Sequence, residues 1–550
     1  MASQAVSWYN YFISWFTGRS PQSLTENQTE PTNANEKDAP HAHTVGEKEF
    51  EEALRYEKGE GVEKDMRKAA QHLKKAVELN HTGAMVKLAK AHQCGLGVEC
   101  DTEKAMRLFE KAAKMGNTDG MVEVAHCLLQ ESSVESDKTK AMDLLTRAAK
   151  QGNSEAMLML GNMLFYGECC EEDKEGGVGW WKEASEHGNV MAMRRLGECF
   201  DNGDGVPKDK KKAVEMFEKA SNKGDDESMM RLARHFETGD GVCIDLDKAH
   251  SLYAGAFHLS FDESHGPENN EMMMTVFERM ASKGHSPSML TLGRCYYTGI
   301  GVEQDENKAF EWFLKSAGKG NTVAMFNVGV CYSKGEGVIQ DKTKGFGWFL
   351  KSAENGNTDA MNNIGWRYFN GEGVTQDKTK GFEWYLKSAE NGHADAMNNV
   401  GVCYDKGEGV KQDKTKAFEW YLKSAENGVA GAMLSVGWHY SNGEGVTQDM
   451  TKAFEWYLKS AENGNACAMF IVGLYSFNGL GVTQDKTKAF ELWLRSAEKG
   501  YSDAMNMVGC CYRDGDGVSK DLEKAREWFT KASNNGCAKA KENLRSLGQK

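Results

Sequence analysis

In the stretch Asn357–Gly392, NTDAMNNIGWRYFNGEGVTQDKTKGFEWYLKSAENG, the small or apolar residues Met361, Ile364, Gly365 and Tyr368 lie three or four positions apart. That spacing gathers them on one side of a helix and predicts a first helix from about Ala360 to Phe369. GEGV then supplies a tight turn, where positive φ is costly for any residue but glycine. Val374 is placed to pack back on the helices. Asp377 is the expected N-cap of a second helix, accepting amide protons of its first turn. Asn391-Gly392 ends that helix, with glycine suited to the left-handed position beyond it.

The same pattern returns along the chain. A GxGV tetrapeptide begins at Gly59, Gly95, Gly203, Gly239, Gly299, Gly335, Gly371, Gly407, Gly443, Gly479 and Gly515. The steps are 36 residues or multiples of 36, except for 60 between Gly239 and Gly299. Registers at Glu131 and Gly167 keep the spacing but read ESSV and GECC. An Asp stands six residues after each start, from Asp65 to Asp521. A fixed period of this length marks stacked supersecondary units, each burying the face of its neighbour. The fold class is therefore all-α, a solenoid of about 13–14 helix-pair repeats of 36 residues.

The 60-residue step equals one unit plus 24 residues. Matching Ser282-Lys283-Gly284 to the usual helix end puts Asn269 at the capping position, so the missing 12 residues are one first helix. A second-type helix at about Leu246–His258 is then followed directly by another at about Asn270–Ser282. This reading gives an N-terminal array at 47–260, a break at 261–270 and a C-terminal array at 271–547.

Within the units, Gly365, Gly401 and Gly437 share a register with Ala53 and Ala89, always Gly or Ala. Mid-helix glycine costs about 1 kcal/mol against alanine, so its recurrence implies a close helix contact. Trp384, Trp420 and Trp456, each followed by Tyr, are expected to fill the core. Lys380, Lys416 and Lys452 oppose the helix dipole, and the sequence offers no reason for them.

Ahead of the array, residues 1–19 form an aromatic N-terminal segment and 20–46 a Ser-, Thr-, Asn-, Pro- and Glu-rich linker. Ala5–Phe16 is uncharged but shorter than the roughly 20 apolar residues that span a bilayer. It also lacks the basic region of a secretory signal. Two readings stay open. Trp8, Tyr9, Phe12, Trp15 and Phe16 either dip into a membrane surface as a peripheral anchor through residues 5–16, or form a short helix that docks on protein.

Charge narrows the partners. The net charge of -14 excludes a general nucleic-acid binder, which needs surplus Lys and Arg. The 14 cysteines contain no CxxC pair and no zinc-spaced Cys/His cluster, so no metal is expected. Cys127, Cys199, Cys295, Cys331, Cys403 and Cys511 occupy one position of the repeat. Stacked helices keep such positions about 9–10 Å apart, beyond disulfide reach. Free thiols point to a reducing, cytoplasmic setting. GxGV is not followed by Gly-Lys-Ser/Thr, and HExxH and GxSxG are absent, so the chain reads as no enzyme and needs no cofactor.

The 36-residue period with AM…LG..Y..G.GV..D..KA…W…A…G resembles the Sel-one-like repeat family, over about Glu47–Leu547. The resemblance implies a right-handed, tetratricopeptide-like superhelix and an adaptor role. Members serve in membrane-protein degradation complexes, activate cell-wall synthases or meet host proteins. Secreted members carry a cysteine pair in each unit; the matching positions here are Ala317 and Met325, or Ala353 and Met361, so their penicillin-binding activity is not carried over.

Between Asn321 and Gly500 the second helix barely changes while the first varies. In the unit quoted, the variable Asn362, Asn363, Trp366, Arg367 and Asn370 fall within an arc of about 140° at 100° per residue. By resemblance to tetratricopeptide arrays, that face lines the concave surface. It carries Asn327, Asn362, Asn363, Asn398, Asn399 and Asn506, with Trp366 beside Arg367 and Trp438 beside His439. Asn can both donate to and accept from a peptide backbone, and Trp and Arg are frequent interface anchors. The expected partners are other proteins, held along this strip. The competing reading is that the positions drift because solvent tolerates them.

Overall fold

The computed structural model describes residues 45–131, 135–168, 171–259 and 267–548. Among them the regular structure is 28 α-helices and no strand, an all-α repeat solenoid. By compactness the chain divides into two units, Met1–Asn189 and Val190–Lys550.

One repeat shows why each residue is where it is. The first helix is Thr358–Asn370 and the second Lys378–Glu390. Between them Gly371 and Gly373 have φ of 71° and 73°, and Gly392 beyond the second helix has 89°. The Asp377 carboxylate accepts the Lys380 amide at 3.0 Å, capping the second helix. Lys380 also gains an explanation. Its Nζ lies 3.6 Å from Asp377 Oδ2 and 5.9 Å from the Tyr368 ring centre. The lysine pairs with the capping carboxylate and covers an aromatic ring, which offsets its unfavourable place on the dipole. At the register that lost its glycines, the second helix begins early, at Glu135, so Asp137 lies inside it rather than at its cap.

The recurrent small residues mark the close approach. A Cβ on Gly365, Gly401 or Gly437 would lie 2.6–2.7 Å from the ring of Tyr385, Tyr421 or Tyr457. The aromatic pair therefore divides its work. Each Tyr is buried, whereas Trp384, Trp420 and Trp456 are only partly so. Trp420 and Trp456 pack on the core of the preceding repeat. The outer faces of the three rings are covered by Lys387, Lys423 and Lys459 at 4.9, 4.3 and 4.2 Å. Within the repeat, buried Ser388 donates to the Thr358 carbonyl at 2.8 Å, and Ser424 repeats the bond to Ala394.

Stacking explains the second glycine of the loop. A Cβ on Gly409 would fall on the Lys378 carbonyl of the preceding second helix, and on Gly445 it would fall on that of Lys414. Beside this contact Lys378 Nζ reaches Glu408 at 3.0 Å. The first glycine, Gly407, needs only its positive φ of 71°. Replacing Gly409 by Ala is thus expected to cost about 2–4 kcal/mol, against about 1 kcal/mol for Gly407→Ala. Native-state hydrogen exchange across Lys378–Lys406 measures the difference.

Among the described residues Leu246–Leu259 is followed by Pro267–Ser282, and residues 260–266 lie outside them. The next helix starts at Pro267 rather than Asn270, so Asn269 lies inside it and does not cap it. One core nevertheless runs through this place, with Tyr253, Phe277, Met280 and Leu292 in a single cluster. A buried ion network replaces the lost helix contact. Glu237, at the end of Asp226–Thr238, has a side chain 1% exposed and is met by Arg279 at 2.7 Å and Lys283 at 2.8 Å. Burial alone would raise its pKa; the hydrogen bonds from Arg279 and Lys283 outweigh that and bring it from 4.5 to about 2. Its folded pKa is depressed, so the stabilisation is complete above the unfolded value near 4.5 and is lost as pH falls toward about 2. Glu237→Gln should therefore cost about 1–3 kcal/mol at neutral pH and flatten the acid loss of stability between pH 5 and 3. Urea unfolding at a series of pH values tests both.

Candidate functional site

The variable face lies on the first helices of the second unit. Trp366 and Trp438 stand out from it, 39% and 41% exposed. Asn362, Asn363, Asn398 and Asn399 are half-buried. Two of them join adjacent first helices, Asn399 Nδ2 donating to Asn362 Oδ1 at 2.9 Å. Asn363 Oδ1 accepts from Arg367 Nε at 2.8 Å.

Four residues expected on the open face are buried instead: Asn327, Arg367, His439 and Asn506. Arg367 and His439 occupy the position just beneath the two tryptophans. The Arg367 guanidinium lies 4.6 Å from the Phe349 ring centre and 3.7 Å from Glu372. His439 packs between Tyr421 and Trp438, its Nδ1 2.6 Å from the Glu444 carbonyl oxygen and its Nε2 3.6 Å from Asp405. In other repeats this slot holds a buried cysteine, and burial pushes the Cys403 and Cys511 thiols up to about 12. Asn506 accepts from Asn543 at 2.8 Å, whereas both side-chain polar atoms of Asn327 are buried without a partner among the described residues. The 140° arc failed for these four because the helix next in the stack covers the edge of the arc. Trp8, Tyr9, Phe12, Trp15 and Phe16 lie outside the described residues. Among the described residues no helix is long and apolar enough to cross a membrane.

Around Trp438 the face opens into a pocket of about 310 Å³. Three consecutive first helices line it, through Asp405, through Leu434, Ser435, Trp438 and His439, and through Cys467 and Ile471. Tyr421 and Tyr457 of the second helices form its floor. Leu434, Ser435 and Ile471 were legible as candidates: they occupy the registers that hold Asn398, Asn399 and Asn363 elsewhere. An emphasis on asparagine passed over them. At the rim Lys414 bonds Asp405 and Glu444, each at 2.8 Å, and those bonds hold it above the ordinary lysine value. Its Nζ lies 5.6 Å from the Trp438 ring centre.

Charge is sparse on this face. In the four first helices between Thr358 and Asn478 only Asp359, Arg367, Asp395, Asp405 and Lys406 are charged, in a chain that is 27% charged. Asp359 is bound by His393 at 3.0 Å and Asp405 by Lys414. Apart from Asp395 and Lys406, what remains open is aromatic, aliphatic and amide surface. Such a surface suits an uncharged stretch of polypeptide better than a phosphate or a metal ion. Among the described residues no three His, Cys, Asp or Glu side chains gather as a metal site.

The Asn362–Asn399 bond gives a test of how the strip is built. Asn399→Ala should cost about 1 kcal/mol, and adding Asn362→Ala should cost little more, a coupling of about 0.5–1 kcal/mol. A double-mutant cycle by urea unfolding reads it.

Comparison with known proteins agrees with this architecture. The pattern of the Sel1 repeat matches thirteen segments, covering 53–254 in six, 286–465 in five, and 468–501 and 502–537. A protective antigen of uropathogenic Escherichia coli strains displaying an SLR fold is 29% identical, over 87% of this chain and 90% of its own, with a TM-score of 0.47. A Sel1 repeat protein from Oxalobacter formigenes is 30% identical, over 44% of this chain and 99% of its own, with a TM-score of 0.42. Comparison with curated proteins gives no match. Repeats of this kind generally mediate protein–protein contacts and are typically non-catalytic. With thirteen repeats matched over most of its length, the chain belongs to the Sel1 repeat family.

Proposed function

We propose that this protein is a non-enzymatic scaffold or adaptor that holds segments of other proteins along its row of first helices. The observation that carries the reading is the Trp438 pocket. It is the size of one or two side chains, floored by Tyr421 and Tyr457 and set in a face almost free of charge. An exposed tryptophan beside a preformed apolar pocket is the arrangement found at interface anchors. Half-buried asparagines flank it and can pair with a peptide backbone on both its donor and acceptor sides. The second helices vary little because they carry the stacking contacts, which leaves the first-helix face free to specify a partner. None of the twelve cysteines among the described residues is in a disulfide, and we place the scaffold in a reducing compartment such as the cytoplasm.

Trp366→Ala and Trp438→Ala together should weaken binding of a partner segment at least about 30-fold, roughly 2 kcal/mol, while the far-ultraviolet circular dichroism stays unchanged. Partner recovery equal to wild type in a pull-down with the folded double variant would remove the first-helix face as the binding surface.

A further inference from the structure

The position just after the helix glycine reads Arg294, Val330, Trp366, Val402 and Trp438 in successive repeats. A large side chain thus stands at every second repeat, and the first is an arginine. Several other arginines of this unit are matched: Arg231 with Glu198 and Glu227, Arg279 with Glu237, Arg513 with Asp514. The Arg294 side chain has no hydrogen bond or ion pair among the described residues, and its Nε is buried without a partner. Burial pushes its pKa below the ordinary arginine value. Asp247, an acidic neighbour of His250, is engaged by His285 at 3.1 Å. His250, the other basic group facing it, is pushed down to about 4 by burial and by His285 and stays neutral.

Asn327 is the second unmatched group. It is 1% exposed with both amide atoms unpartnered. The register of the array puts it beside Arg294: the equivalent Ile471 shares a pocket with Leu434 and Trp438, and the equivalent Asn399 reaches Asn362 one helix back. A half-buried guanidinium and a buried amide therefore adjoin on the first-helix face with no anion between them among the described residues. An uncompensated charge of this kind is costly in a free protein and is characteristic of a site completed by a ligand.

We propose that Arg294 seats a carboxylate of the bound segment, with Trp366 and Trp438 taking apolar side chains further along the same segment. This rests on the reading of the first-helix row as the segment-binding face. Repeats stack about 10 Å apart, so the three anchors follow at about 20 Å. An extended chain covers that distance in about six residues at 3.3–3.6 Å each. The partner is thus an extended peptide with an acidic group roughly six residues from an apolar one and a second apolar residue about six beyond. The carboxylate is supplied by an Asp or Glu side chain or by the end of a chain.

The test pans the full chain against random 16-residue peptides displayed in two formats, one fused at its C-terminus and one with the C-terminus free. Enrichment of Asp or Glu about six residues from an apolar residue in the fused format supports the side-chain source. Enrichment confined to the free format supports the terminal one. Arg294→Gln and Arg294→Met should abolish the acidic preference and lower affinity for the enriched peptides at least tenfold. Trp438→Ala should keep that preference and lose the distal apolar one. Both Arg294 variants should melt at or above the wild-type temperature, since no ion pair is broken. Enriched peptides without an acidic group, or equal binding by both Arg294 variants, would overturn the assignment while leaving the scaffold reading intact. Failure of both formats to enrich any peptide would remove the scaffold reading and this assignment with it.

Discussion

In most repeats a ring of the second helix lies against the bare Cα of a glycine in the first; the others carry alanine there. Gly161 meets Trp181, Gly197 meets Phe217, Gly365 meets Tyr385 and Gly473 meets Trp493, each so close that a methyl group would collide. This contact sets the distance between the paired helices, and the other contacts of the repeat follow from it. The loop must then close over a short span, which requires two left-handed glycines. The serine of the second helix comes within reach of the first carbonyl of its partner. Because the ring is large, the remaining core residues are small, and alanine recurs wherever the helices face each other. Such packing leaves little freedom on the inner sides of the helices and much on the outer.

Neighbouring repeats are joined by different means. The second loop glycine admits the carbonyl of the preceding second helix, and a lysine of that helix turns back to an acidic loop residue. The partly buried tryptophan of the second helix fills the groove between two cores. These contacts are local, so the array tolerates the loss of one helix if another contact bridges the gap. At Glu237 it does: Arg279 of Pro267–Ser282 and Lys283 just beyond it converge on the buried carboxylate of Asp226–Thr238 and tie these two helices together.

The binding face is what this framework leaves over. Its exposed residues are supported by buried polar ones that also touch the preceding repeat. Arg367 lies beneath Trp366, and His439 lies beneath Trp438, where other repeats carry a cysteine. Each reaches the loop of its own repeat, at Glu372 and Glu444. The substitution of a long polar side chain for a thiol coincides with the appearance of tryptophan on the surface, so the two positions act as a pair. A first-helix face that varies in this paired fashion can be altered without disturbing the glycine contact on its opposite side.

The amino-acid sequence determined the helix pairs, their boundaries within about two residues, the capping Asp and the glycine turns. All of these depend on contacts within one repeat or on its period, and periodicity displays them directly. It also separated a fixed side of the first helix from a variable one. Tertiary structure alone decided which variable residues reach solvent. A helical arc is drawn for an isolated helix, and the next helix in the stack covers its edge, burying Asn327, Arg367, His439 and Asn506. The Trp438 pocket depends on side chains from three successive helices, a juxtaposition that no single period contains. The lysine after each capping Asp had no reason in the sequence, because the ring it covers belongs to the other helix of the pair.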